Sequence, residues 1–171
     1  KWLGQLERAL IQHDSQSLNA LFLPQSYWRD VLALTGNIQT LCSAETISEA
    51  ISELSKDAGL SNIHVELADM LPRRVTRVGT ETIEAFFIFE TSVGRGRGIV
   101  RLCTDSVDGG RYKAWTFLTA LEELVGYEEA IGANRPTGKS YSRDFHGPNW
   151  LDQRQEAEAY RKRDPTTLVV G

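Results

Sequence analysis

Asp30 is the residue of this chain best placed to do chemistry. It sits inside an otherwise apolar stretch, residues 27–34 (YWRDVLAL). A carboxylate in an apolar pocket has a raised pKa, which suits it to general acid or base work near neutral pH. Two structural roles compete with that one: an ion pair with Arg29, or hydrogen bonds to backbone. His64 is the second candidate. It alternates with Ile63, Val65 and Leu67 and so points away from them, toward solvent or an interface, unless it serves as a pocket base. His13 lies near a helix end, where a cation complements the dipole, and His146 lies far along the chain. The three histidines share no ligand spacing, so no metal site is expected. Cys42 and Cys103 form no CxxC pattern and read as reduced core thiols, which fits a cytoplasmic protein, with a redox pair as the alternative. Residues 94–98 (GRGRG) have the letters of a phosphate-cradling loop, but no helix follows them, and a hairpin turn is the expectation.

The elements that must position these residues follow from periodicity. Trp2, Leu6, Ala9 and Leu10 recur at helical spacing, so residues 1–12 form an amphipathic helix. Asp14 or Ser15 caps a second, short helix that buries Leu18, Leu21 and Phe22, and Pro24 ends it. Residues 27–34 could be helix or strand. Ser43 caps a third helix carrying Ile47, Ala50, Ile51 and Leu54, and Gly59 stops it. Beyond Leu60 the period changes to two. Strands are expected over residues 62–68, 75–79, 84–91, 98–105 and 112–121, with hairpins at residues 94–97 and 108–110. Trp115 and Phe117 suggest apolar cover on both sheet faces, from a packed core or from a dimer face. Helices first and an antiparallel meander after them mean an α+β domain.

After Ile131 the periodicity stops. Residues 132–150 are rich in Gly, Pro, Asn, Ser and Arg and read as an extended arm. Residues 151–163 are helix-prone and polar, and residues 166–170 form a short β-branched strand ending on Gly171. The domain boundary is placed near Gly132, with a core domain over 1–131 and the arm over 132–171. The arm is expected to pack through its aromatics, with Trp150 as anchor. A net charge of −4 leaves no basic footprint for nucleic acid, and no apolar run approaches a membrane span. With 41% hydrophobic and 25% charged residues, the chain has the composition of a soluble globular protein.

The strand at residues 166–170 followed by Gly171 has the form in which a dinucleotide-binding βαβ unit begins. Before it, residues 146–154 (HGPNWLDQR), Glu156, Ala157, Tyr160, Asp164 and Pro165 closely resemble a junction in FAD- and NADPH-dependent monooxygenases. In that family the junction joins an NTF2-like (SnoaL-like) amino-terminal domain to an FAD-binding Rossmann domain. Residues 27–35 (YWRDVLALT) and 115–124 (WTFLTALEEL) resemble segments of the same domain, the second its last strand. The resemblance implies a cystatin-type cone with N-terminal helices on a curved antiparallel sheet. It implies a pocket lined by Trp28, Asp30 and His64, with Asp30 the weak catalytic candidate. For the parent protein it implies FAD and NADPH, with Gly171 as the first glycine of the flavin loop. The segment itself is expected to bind no cofactor, because the phosphate loop and its helix would lie after Gly171. Three roles are open: an accessory domain of a flavin monooxygenase, partnered by the missing flavin domain; an isomerase or dehydratase for hydrophobic ring compounds; or a binding or dimerisation module.

Overall fold

The first and third helices begin and end where the sequence signals place them, whereas the second stops at Ala20, and Phe22 and Pro24 lie in the strand that follows rather than on the helix. The computed structural model describes residues 1–68, 70–135, 146–161 and 164. Helix α1 (Trp2–Gln12) buries Trp2, Leu3, Leu6, Ala9 and Leu10 along one face. Its C-cap is His13, held at φ 53°. Asp14 caps α2 (Ser15–Ala20) by accepting from Ser17 N–H. Ser43 caps α3 (Ala44–Ala58) through Thr46 N–H, and Gly59 closes it at φ 64°. That positive φ is the reason for glycine at this position.

Seven strands make one sheet: β1 (Phe22–Val31), β2 (Ile38–Cys42), β3 (Ser61–Val65), β4 (Arg73–Arg77), β5 (Thr80–Glu90), β6 (Gly94–Asp105) and β7 (Arg111–Leu124). Their order is β2-β1-β7-β6-β5-β3, with β4 also on β5. The stretch that could be helix or strand is strand. Strands β5, β6 and β7 pair antiparallel as expected. Strand β1, however, runs parallel to β7, with Trp28 opposite Phe117 and Asp30 opposite Thr119. The sheet is therefore mixed. The antiparallel expectation failed here because α3 and the strands after it separate β1 from β7, and pairing over that separation leaves no turn signal in the sequence.

The inner face of the sheet and the three helices enclose a single aromatic-centred core. Phe87 and Phe117 stack with centroids 5.3 Å apart and planes 2° from parallel. Trp2 meets Phe22 edge-on at 5.8 Å and donates its indole N–H to Leu21 O at 3.0 Å. Each such side chain contributes roughly 1.5–3 kcal/mol by leaving water.

Residues 94–98 are not a turn. They form the start of β6, and the turn lies before them, closed by Thr91 N–H donating to Gly94 O. Gly94, Gly96 and Gly98 face the core, whereas Arg95 and Arg97 face out. A Cβ at Gly98 would overlap the Phe87 ring and the Leu118 carbonyl, and one at Gly96 would overlap Phe89. The glycines are there to let two phenyl rings lie flat on the strand.

The β4–β5 hairpin turns through Val78 and Gly79 at φ 49° and 77°. Two positive φ values define the turn type that favours Asn-Gly, and a β-branched residue is strained there. Val78 is also 94% exposed, so it gains no burial to offset that strain. Val78→Asn is expected to stabilise the protein by about 1 kcal/mol, read as a higher midpoint in urea unfolding.

The chain divides into two compact units, Lys1–Glu129 and Ala130–Gly171. In the second, a 3-10 turn (Gly132–Asn134) precedes helix α4 (Trp150–Glu158). Asn149 and Asp152 form a reciprocal capping box at its start. The helix is the polar segment expected from sequence, although it ends at Glu158 rather than near residue 163. It buries no residue, and Trp150, the expected anchor, is exposed with the Arg154 guanidinium 5.5 Å from its ring. Tyr141, Phe145 and residues 166–171, including Gly171, lie outside the described residues. Among the described residues no helix is long and apolar enough to cross a membrane.

Candidate functional site

Asp30 lies on the inner face of β1, 1% exposed. Alternation along β1 turns Trp28 and Asp30 inward and Arg29 outward, so the Arg29–Asp30 ion pair does not form. Arg29 instead donates to Thr40 Oγ1 at 2.9 Å. The Asp30 carboxylate is held by its own loop. Oδ2 accepts from Leu34 N–H at 3.1 Å, Thr35 N–H at 2.8 Å and Thr35 Oγ1 at 2.7 Å. Oδ1 accepts from Thr119 Oγ1 at 2.5 Å and Leu34 N–H at 3.3 Å. Thr119 in turn accepts from Trp28 Nε1 at 2.9 Å. Trp28, Thr119 and Asp30 thus form one buried relay that ties β7 to β1. Asp30 then fixes residues 32–37, a loop that needs Leu32 at φ 63° and Gly36 at φ 64°. Of the structural roles open from sequence, the bond to backbone is the one realised.

The space beside this relay is small. A cavity of ≈ 10 Å³, lined by Leu6, Leu10, Leu34, Ile63, Phe117 and Thr119 among others, sits in the core. That is about the volume one water needs, and far below what a ring compound occupies. Asp30 does not line it, being behind Thr119. A much larger open groove of ≈ 980 Å³ runs past α1, α2 and the β6–β7 turn, lined by Trp2, Arg8, Leu21, Ile83, Tyr112 and others. None of Trp28, Asp30 and His64 borders it.

His64 is not with the other two. It is exposed on β3, opposite Ile88 of β5, with Nδ1 2.8 Å from Asn62 O. Its pairing partner faces outward, and β3 is the far end of the strand order from β1. The outward direction read from alternation holds, and the pocket position implied by the resemblance is corrected. Gly171 lies outside the described residues. Cys42 is exposed rather than a core thiol, whereas Cys103 is buried and its thiol is pushed up by that burial. Among the described residues no three His, Cys, Asp or Glu side chains gather as a metal site.

One highly charged cluster among the described residues was missed from sequence. Glu84, 1% exposed, stands on the outer face of β5 between Arg73 of β4 and Arg101 of β6, its direct cross-strand neighbours. Arg73 Nη2 and Arg101 Nε each reach it at 2.8 Å, and Arg77 Nη2 at 3.1 Å. Burial pushes the Glu84 carboxyl up, but hydrogen bonds from Arg73, Arg101 and Arg77 outweigh it and hold the pKa at about 2. The signal was there: Glu84 opens a run of apolar residues, and Arg73 and Arg77 recur at even spacing.

A folded pKa below the unfolded value of ~4.3 means that Glu84 stabilises the fold above that pH. The contribution should fade as pH falls from about 4.5 to 2. The half-exposed arginines screen the site, so it is worth about 2–3 kcal/mol. Urea unfolding at pH 7 and pH 2.5 should show this loss, and Glu84→Gln should show less of it.

No family model matches the chain, and no curated protein matches it. Solved structures do. A protein of unknown function with a cystatin-like fold from Nostoc punctiforme superposes at a TM-score of 0.51 and 8% identity, over 71% of this chain and 86% of that one. A DUF4783 family protein from Bacteroides uniformis matches at 0.49 and 12% identity, over 70% and 95%. An NTF2-like protein with a cystatin-like fold from Novosphingobium aromaticivorans matches at 0.49 and 11%, over 70% and 77%. At such identities the likeness speaks to fold alone, and the Nostoc structure carries it. The chain has the α+β, cystatin-like fold, helices packed on one face of a mixed sheet.

Proposed function

We propose that residues 1–131 are a non-catalytic accessory domain of a flavin-dependent monooxygenase, and that residues 132–171 lead into its FAD-binding domain. The observation that carries the non-catalytic part is the state of Asp30. Its two oxygens are occupied by backbone and hydroxyl donors, and the cavity nearby has room for about one water. A general base needs hydrogen-bond reach to a substrate, and both oxygens of Asp30 are already engaged within the protein. The interior cavity of ≈ 10 Å³ holds no flavin ring, and among the described residues the open groove past α1 presents no glycine-rich loop leading into a helix N-terminus for a pyrophosphate. On the resemblance, FAD and NADPH belong to the parent protein's flavin domain.

The monooxygenase part rests on the resemblance. Two of its separated segments, residues 27–35 and 115–124, lie on paired strands, and the Trp28–Thr119–Asp30 relay joins them. A role in holding the domain together accounts for both segments at once. The test is the full-length gene product, purified and scanned by absorbance. Stoichiometric bound flavin, reduced by NADPH, is expected. A colourless full-length protein that takes up no added FAD would remove the proposal.

The outer sheet face supports a second role, pairing of two copies. Phe86, Ile99 and Leu118 lie side by side across β5, β6 and β7, each half-buried. Sedimentation should then give a dimer that Leu118→Lys dissociates; a monomeric native chain would exclude this role.

A further inference from the structure

Glu84 and its three arginines are more than one carboxylate requires. A single arginine would neutralise Glu84; three leave two positive charges in excess, on side chains 47%, 43% and 31% exposed. Arg73 and Arg77 each spend Nε and Nη2 on Glu84, and Arg101 spends Nε alone. Among the described residues, Arg73 Nη1, Arg77 Nη1 and both terminal nitrogens of Arg101 donate no hydrogen bond. The neighbouring cations do not add to this excess. Lys113 is engaged by Asp105 at 2.9 Å and Asp108 at 3.1 Å, and Arg74 by Glu81 at 2.5 Å.

We infer that Arg73, Arg77 and Arg101 form a binding site for a phosphate monoester of a small molecule on the outer face of the sheet. Glu84 acts as the template of the site. Buried and bonded to all three, it fixes the guanidiniums before any ligand arrives, so binding loses little side-chain entropy. Guanidinium edges match phosphoryl oxygens in geometry. The charge also matches, because a phosphate monoester carries up to two negative charges at neutral pH. Ligand and Glu84 together then balance the three arginines. A carboxylate ligand would leave one charge uncancelled. The site is separate from the relay at Asp30, which faces the core on the other side of the sheet.

The test is a calorimetric titration of the 171-residue chain at pH 7.5 with inorganic phosphate and with phenyl phosphate, against sodium chloride at matched ionic strength. Saturable one-to-one binding of both phosphates, with none for chloride, is expected. Arg77→Gln should weaken it about tenfold, the equivalent of one charge-assisted hydrogen bond. Arg77 makes the longest contacts to Glu84, so the fold should survive its loss. If it does not, Arg73→Gln serves instead. Arg74→Gln, whose side chain leaves the opposite face of β4, should bind as the native chain does. Absence of saturable binding, or equal affinity in native and Arg77→Gln proteins, overturns the inference.

Discussion

Asp30→Ala should cost about 3–4 kcal/mol of unfolding free energy, a large fraction of what a domain of this size has. The substitution removes the acceptor of Leu34 N–H, Thr35 N–H and two hydroxyls, in a site that water reaches poorly. Donors left unsatisfied in such a place cost about 1–3 kcal/mol each, partly recovered as the loop relaxes. Asp30→Asn should cost less, about 1–2 kcal/mol, because the amide keeps one acceptor and Thr119 can reorient. Thr119→Val should behave like Asp30→Asn, since it strands Trp28 Nε1 and leaves Asp30 Oδ1 only the longer bond from Leu34 N–H. Urea unfolding gives all three values. An Asp30→Ala change within about 0.5 kcal/mol of native would mean that the relay holds nothing.

The second large effect comes from glycines of opposite sign. Gly98→Ala should destabilise by about 2–3 kcal/mol. Its Cβ would meet the Phe87 ring on one side and the Leu118 carbonyl on the other. Phe87 cannot swing away without losing its stack on Phe117, and the carbonyl belongs to the paired strand. Gly4→Ala, in the exposed face of α1, meets nothing within 4 Å. It should stabilise by about 0.5–1 kcal/mol, because alanine loses less entropy than glycine in a helix. Thermal midpoints that move together in the two variants would contradict the flat-packed role of Gly98.

These residues also mark how far the sequence could be read. Helix α3 was legible end to end because its signals are local: a serine cap, a four-residue apolar spacing and a C-terminal glycine. The GRGRG stretch was misread because glycine ordinarily weakens a strand. Its use here depends on two phenyl rings from a neighbouring strand, which no local rule supplies. Strand β1 was ambiguous because one face enters the core and the other is covered in part, and its parallel partner lies 91 residues away at the Trp28–Thr119 bond. The composition around Asp30 did mark it as unusual. What composition could not reveal was that its own loop folds back and, with Thr119 of β7, occupies both carboxylate oxygens. His64 was placed correctly by alternation and wrongly by analogy, since cones of similar fold need not put a histidine in the same place.

If, as proposed, residues 1–131 support a flavin-dependent parent protein without taking part in its chemistry, the full-length Asp30→Asn protein will retain its activity. Its NADPH oxidation, expressed per folded, flavin-loaded molecule, should equal that of the native protein within about twofold, while its urea midpoint falls. A general acid or base contributes at least about a hundredfold. A loss of that size, with fold and flavin content intact, would contradict the claim.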